Sequence, residues 1–238
     1  MPRQKLVVLS GAGVSAESGI STFRDNGGLW DQYDPQEVCS AEGWRRNPAK
    51  LQAFYNGLRA QLKDARPNAA HLAIAELEKD YDVRVVTQNV DNLHERAGST
   101  SVLHLHGELT KVRPENTYND WDGYSTALVI DVGYEPVGAD EKAANGARLR
   151  PHIVFFGEAV PNIEKAVDIV SQADIFLIVG SSLQVYPAAG LYRYAPYDKP
   201  IYIIDPAPLL VHDPRIVHIK EVASKGMETF RKMLCEKA

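Results

Sequence analysis

His106 follows the apolar run Val102-Leu103 by way of His104 and Leu105, and Gly107 comes directly after it. An imidazole at the carboxyl end of a strand, next to a glycine that lets the chain turn, is placed to take a proton from a bound ligand. His104, two residues earlier on the same strand face and deeper in the sheet, is the control for that reading. A structural role is the alternative for a single histidine of either kind. Upstream, Gly11-Ala12-Gly13-Val14-Ser15-Ala16 matches the loose form GxGxxA, in which glycines let backbone amides approach a phosphate at a helix N-terminus. A glycine-rich turn without a ligand fits the same residues. A hydride-transfer dehydrogenase would also need an acidic residue about 20 positions on, at the end of the second strand, and Asp31 to Glu37 does not read as a strand end. Thr87-Gln88-Asn89-Val90-Asp91-Asn92-Leu93-His94 adds amides and a carboxylate after another β-branched run, and Ser18 to Asp25 makes a loop whose Phe23 and Arg24 could close over a dinucleotide.

These groups need a scaffold that brings strand ends together. Short β-branched runs at Leu6 to Leu9, Val83 to Thr87, Ile153 to Phe156, Ile175 to Val179 and Ile201 to Ile204 read as buried strands. Helical patterns lie between them, from Asn68 to Lys79 with Asn68 as N-cap, and from Ile163 to Ala173. The alternation predicts an α/β fold, a doubly wound parallel Rossmann-like sheet, with ligands at strand carboxyl ends. Two segments break the rhythm: a helical stretch rich in Trp, Tyr and Arg after Asp31, and a polar, turn-rich stretch from Thr110 to Arg148. They predict a second, smaller inserted domain of residues 31–70 and 110–149, beside a larger domain of 1–30, 71–109 and 150–238, with a cleft between them. Leu51, Phe54, Tyr55, Leu58 and Leu62 form one apolar helix stripe, with Arg59 about 100° away from Leu58.

Composition narrows the function classes. With 26 basic against 31 acidic residues among 238 and a formal charge of -5, the chain lacks the electrostatic footprint of a duplex nucleic-acid binder. Its 2 cysteines, Cys39 and Cys235, exclude an intrachain disulfide framework and a zinc site needing three or four thiolates. No membrane span is legible, and the apolar run before Gly11 is too short for a signal-peptide core, so a cytoplasmic location is expected.

Five segments together resemble the sirtuin family of NAD-dependent protein deacylases: GAGVSAESGISTFR (Gly11 to Arg24), TQNVDNLHERAG (Thr87 to Gly98), LHLHGEL (Leu103 to Leu109), RPHIVFFGE (Arg150 to Glu158) and GSSLQVYPAA (Gly180 to Ala189). The resemblance spans nearly the whole chain in family order. It implies NAD as co-substrate, with Gly11, Ala12, Gly13 and Glu17 at the phosphate and ribose region and Phe23 and Arg24 on the cofactor loop. It places Gln88, Asn89 and Asp91 around the nicotinamide ribose and carboxamide, and Gly180, Ser181 and Ser182 at the adenosine half. Asp205, where the family usually has Asn, is kept as an adenosine-ribose contact. The resemblance further implies that the acyl-lysine oxygen attacks the ribose as nicotinamide leaves. His106 is then the base that deprotonates a ribose hydroxyl, Asn89 positions water or that hydroxyl, and the acyl group passes to ADP-ribose. Acyl-lysine proteins or peptides would add as a strand between Val154, Phe156, Gly157 and Glu158 on one side and Leu183 and Val185 on the other. Tyr55 would sit at the acyl pocket, and at least one of Val154, Phe155 and Phe156 is expected to be plain core.

The pattern departs from the family twice. Most sirtuins carry four zinc-binding cysteines in the segment matching Thr110 to Arg148, and this chain has none there, so the small domain is expected to be metal-free. Tyr118, Trp121, Tyr124 and Val129 are candidates for a replacement apolar cluster. Relatives that remove succinyl groups carry Tyr-x-x-Arg, where this chain has Leu58, so neutral acyl groups are expected. Cys39, near that pocket by resemblance, reads as a small buried hydrophobe. Two other outcomes stay open: a mono-ADP-ribosyltransferase and a catalytically silent NAD or ADP-ribose binding module.

Overall fold

The structure, a computed structural model, describes residues 2–20, 33–115, 118–119, 123–124 and 128–236. In chain order come β1 (Lys5–Ser10), α1 (Pro35–Val38), α2 (Ala41–Arg46), α3 (Pro48–Asp64), α4 (Ala69–Glu76), β2 (Asp82–Thr87), α5 (Leu93–Ala97), β3 (Val102–His104), β4 (Gly107–Pro114), β5 (Tyr118–Asn119), β6 (Gly123–Tyr124), β7 (Ile130–Asp131), β8 (Leu149–Ile153), α6 (Ile163–Val170), β9 (Ile175–Val179), β10 (Ile201–Ile204), β11 (Ile216–Ile219) and α7 (Ala223–Cys235).

Six strands form one parallel sheet in the order β11-β10-β9-β1-β2-β3. Its two-faced core follows from strand periodicity. Leu6 and Val8 of β1 turn to a core with Val83, Val85 and Leu177 under α4 and α7, while Val7 and Leu9 turn to the opposite core with Val86, Phe176 and Ile178 under α6. The helices begin where capping side chains stand: Asn68 accepts from the Ala70 amide at α4, and Ser40 accepts from the Gly43 amide at α2. α4 ends in a single 3-10 turn, Leu77–Lys79, and α6 stops at Val170.

The run Ile153 to Phe156 is not a strand of the parallel sheet. The strand is Leu149–Ile153, and it pairs antiparallel with β4 in a three-stranded sheet, β7-β4-β8. The Val154 amide still continues that pairing by donating to His106 O, and only beyond it does the chain leave the ladder, where Phe156 pairs with Ser40 at the start of α2. Phe155 is the plain core residue, 1% exposed among Trp44, Phe54 and Tyr55, and Phe156 faces solvent. The junctions 109/110 and 149/150 fall inside β4 and β8. A small cluster of Val112, Val137 and Leu149, with Val132 and Ala143 against it, packs the antiparallel strands. Of the set expected from sequence, Trp121 lies outside the described residues, Tyr118 and Tyr124 are described only as backbone partners in a two-stranded ribbon, and Val129 is half-buried.

Candidate active site

Because the six strands are parallel, the turns after β1, β2, β3, β9 and β10 emerge at one edge of the sheet. β1 sits between β9 and β2, where the winding reverses, which is where open α/β sheets take ligands. The turn Gly11-Ala12-Gly13 lies directly on Gly180, with the Gly13 amide donating to Gly180 O at 2.9 Å. Gly180 has φ +61°, and a Cβ there would lie 2.2 Å from the Val14 nitrogen. Only glycine satisfies both conditions. Ser181 is buried and its hydroxyl accepts from Gln88 Nε2 at 2.9 Å, which ties the turn after β9 to the turn after β2. Ser182 follows it, half-buried. Phe23 and Arg24 lie outside the described residues.

The two histidines at the end of the third strand differ in state, His104 closing β3 and His106 lying two residues beyond it. His106 is half-buried, and its Nδ1 lies 2.9 Å from Gln88 O. A carbonyl only accepts, so Nδ1 carries the proton and Nε2 keeps its lone pair. Among the described residues nothing bonds that Nε2. Burial lowers the pKa of His106, against the opposing hydrogen bond to Gln88, so the ring is a neutral base at pH 7. Gly107 makes this placement possible: its φ is +88°, and a Cβ would lie 2.0 Å from His152 O. His104 is buried, with Nδ1 3.0 Å from Asn89 O and Nε2 2.8 Å from the Glu95 carboxylate.

Below the crevice lies a buried polar network. Asn89 Nδ2 donates to Ser15 Oγ at 3.1 Å, and Ser15 donates to Asp91 at 2.9 Å. His71 accepts the Asn68 amide on Nδ1, which leaves Nε2–H for Ser15 at 3.4 Å. Burial raises the pKa of Asp91, opposed by bonds from the Leu93 amide and Ser15. The His71 and His94 rings meet edge to face at 4.9 Å. Burial holds His71 down at about 4, and burial with the charge of its neighbouring rings holds His94 at about 3.

Other expected site residues are already engaged. Glu17 is exposed and accepts the Ser224 amide and hydroxyl at the start of α7. Asp205 accepts the Ala207 amide, and its carbonyl takes the His218 Nε2 proton. Glu158 accepts two bonds from Arg150 at 2.6 and 3.0 Å and one from the Phe155 amide. Val154 is half-buried, and Gly157 has φ +90° on the turn before Glu158. Leu183 is a non-glycine at φ +53°, and Val185 is exposed. A leucine held there marks a sparsely populated backbone state, of a kind that clusters at ligand sites. Tyr55 is buried against Phe54 and Phe155 and bonded to Cys39. Burial pushes the Cys39 thiol up to about 12, so it packs as a neutral group. Leu58 is half-buried in the same core, and Arg59 is fully buried, donating to Leu109 O at 2.8 Å and Asn56 Oδ1 at 2.6 Å.

A family model described as "Sir2 family" matches residues 11–187. The chain belongs to the Sir2 family. An NAD-dependent protein deacylase of Bacteroides thetaiotaomicron is 52% identical over 234 residues, covering 97% of this chain and 98% of the relative. A Sir2 homologue solved with ADP-ribose superimposes with a TM-score of 0.85 at 36% identity, covering 98% of this chain and 94% of its own. A Sir2 structure with a p53 peptide and NAD+ gives 0.78 at 26%, covering 98% and 94%.

Sequence reasoning passed over several residues of this Sir2 site: Ser15, His71, Thr87, His94 and Glu95. Ser10 and Thr87 bond each other at 2.8 Å, Thr87 takes the Asn89 amide, and Ser10 lies 2.9 Å from His94. A weak signal existed for His71, a histidine three residues after an N-cap asparagine, beside Ala70 and Ile74 on a buried helix face. Ser15 and His94 pair, and Ser10 and Thr87 bond, across long sequence separations, which no local pattern reveals.

Proposed function

We propose that this chain is an NAD-dependent protein-lysine deacylase that passes the acyl group to ADP-ribose and releases nicotinamide. The observation that carries the reading is His106, whose Nδ1 is fixed by Gln88 O and whose lone-pair Nε2 stands at the strand-end crevice. The tight glycine contact between the turns after β1 and β9 fits the close backbone approach that a dinucleotide pyrophosphate requires. NAD, when bound, supplies the glycosidic bond whose cleavage makes its ribose an acyl acceptor.

The chain's own groups do the rest. Gly11, Ala12, Gly13 and Glu17 hold the phosphate and ribose side, with Gly180, Ser181, Ser182 and Asp205 on the adenosine side and Phe23 and Arg24 on the covering loop. Gln88, Asn89 and Asp91 orient the nicotinamide side. Asn89 is well suited because its own amide group is braced on Ser15. His106 Nε2 takes the proton of a ribose hydroxyl. Substrate and ribose must be held in line with water excluded until transfer is complete. An acyl-lysine peptide adds between Val154 to Glu158 and Leu183 to Val185, with its acyl group towards Tyr55. Neutral acyl groups are favoured, since Leu58 offers no charge and Arg59 is committed to Leu109 and Asn56. The small lobe is read as metal-free. Among the described residues no group of three His, Cys, Asp or Glu could hold an ion. The protein is read as cytoplasmic, and among the described residues no helix is long and apolar enough to cross a membrane.

The test is mass spectrometry of purified protein with NAD and matched acetyl-, butyryl- and succinyl-lysine peptides, with metal analysis alongside. Expected are loss of the neutral acyl groups and appearance of O-acyl-ADP-ribose. His106→Ala should lower turnover by about 10²- to 10⁴-fold while NAD binding stays within about tenfold. NAD binding with no nicotinamide release from the wild-type chain would overturn the reading.

A further inference from the structure

Gln88 and Asn89 present consecutive backbone carbonyls, and the imidazole that closes the third strand and the one just beyond it take one each: His104 at 3.0 Å and His106 at 2.9 Å. The histidines differ in what faces their second nitrogen. His104 Nε2 lies 2.8 Å from the Glu95 carboxylate, so both of its nitrogens face groups that only accept. Both must carry protons for the geometry to hold, and the ring is then an imidazolium. Its own carbonyl takes the Asn162 side-chain amide at 2.8 Å, and Thr87 and His104 are register partners across β2 and β3.

We propose that His104 and Glu95 form a charged pair that positions the Gln88-Asn89 peptide units beneath the reacting groups, so that the histidine closing the strand is a fixed cation and the one just beyond it a free base. His104 acts through Asn89 and is a positioning residue. Orienting that segment matters doubly, because Gln88 O sets the tautomer of His106 and the Asn89 side chain is braced on Ser15. Burial opposes the charge on His104, but the bond and charge of Glu95 outweigh it and raise the pKa of the ring. Burial likewise opposes the charge on Glu95, and His104 outweighs it and lowers the carboxyl pKa. Glu108 and Asp91 are the other carboxylates facing His104, while His94 and His152 are rings that its charge helps keep neutral, and Lys111 lies towards Glu95.

The sign of the pH dependence follows. A raised pKa on His104 means that the pair is complete below it and is lost as pH rises through it, whereas His106 must lose its proton to serve as base and sets the acid limb. Activity is therefore bell-shaped, with His104 on the alkaline side.

Two measurements test this. In wild-type protein at pH 7, imidazole nitrogen NMR should show both nitrogens of His104 protonated and His106 protonated on Nδ1 alone. A lone-pair nitrogen on His104 would overturn the proposal. The kinetic arm rests on the deacylase reading, whereas the NMR arm needs no activity, so the two can fail separately. Glu95→Gln keeps a partner for Nε2 and removes the charge. The alkaline limb should move down by at least about one pH unit, with kcat falling about tenfold above it and KM for NAD within about threefold. The acid limb should not move. A Glu95→Gln profile superimposable on wild type would overturn the proposal, and if that variant does not fold, the NMR result decides.

Discussion

Along the carboxyl edge of the parallel sheet the turns are fixed by backbone contact and short polar bonds, with Gly13 on Gly180, Ser15 among Asn89, Asp91 and His71, and Ser10 on Thr87, and with the His104–Glu95 pair beneath them. In the antiparallel strands beside it, ions do comparable work. Arg113 is fully buried with a nitrogen 3.9 Å from Glu158, and Arg150 and Glu158 are paired at 2.6 Å, with side chains only 5% and 11% exposed. The Arg150 guanidinium also lies 4.0 Å from the Phe155 ring centroid. His152, beside these cations, is held down at about 3 by burial and by their charge. The first region tolerates almost no change in shape. In the second, removing one partner of a buried ion pair leaves an uncompensated buried charge.

Three experiments can break or sharpen this contrast. The largest effect is expected from Gly180→Val, where a side chain meets the Val14 nitrogen in a backbone conformation reserved for glycine. Loss of more than about 4 kcal/mol, read as failure to fold or a collapsed urea midpoint, is expected. A near-normal midpoint would show that the two turns can part. Next, Glu158→Gln removes the carboxylate that two buried guanidiniums face and should cost about 3–5 kcal/mol. Early proteolysis between β4 and β8 would locate the damage, and cleavage elsewhere would place the weak point outside the small lobe. The smallest effect per group comes from pH. His71, His94 and His152 have depressed pKa values in the fold, so an unfolded chain binds more protons than the folded one once pH falls below about 6.5. Their contribution is present above that pH and lost as pH falls towards about 4 for His71 and about 3 for the other two. At pH 5 the loss is on the order of 2 kcal/mol per ring. Melting temperatures flat between pH 7 and 5 would contradict the buried neutral assignments.

Much of the parallel sheet was legible because β1, β9 and β10 are apolar runs buried on both faces, and β2 carries Val83, Val85 and Val86 with only Arg84 turned out to solvent. β11 was not, since Ile216 to Ile219 is short and carries His218 in its middle at the sheet edge. β4 was hidden for a different reason. Glu108, Lys111, Arg113 and Pro114 give it the look of a loop, and Arg113 is buried only because charges meet it in three dimensions. In the same lobe the packing described is carried by Val112 of β4, Leu149 of β8 and Val137 of the connection between them, which are spread too far apart in sequence to read as one cluster. At the site, His106 and the glycine turns stood out through local context. The tautomers, and the division of labour between His104 and His106, depend on carbonyls and a carboxylate that no reading of spacing brings together.

The two cysteines differ in a way that has a practical side. Cys39 is buried with its thiol far above the reactive range, and Cys235 is exposed at the last turn of α7. Thiolate-selective reagents should therefore modify the folded chain once, at Cys235, and a second time only after it unfolds. Maleimide stoichiometry becomes a counter of unfolding, and the native sequence already offers a single attachment point for a fluorophore or a surface tether.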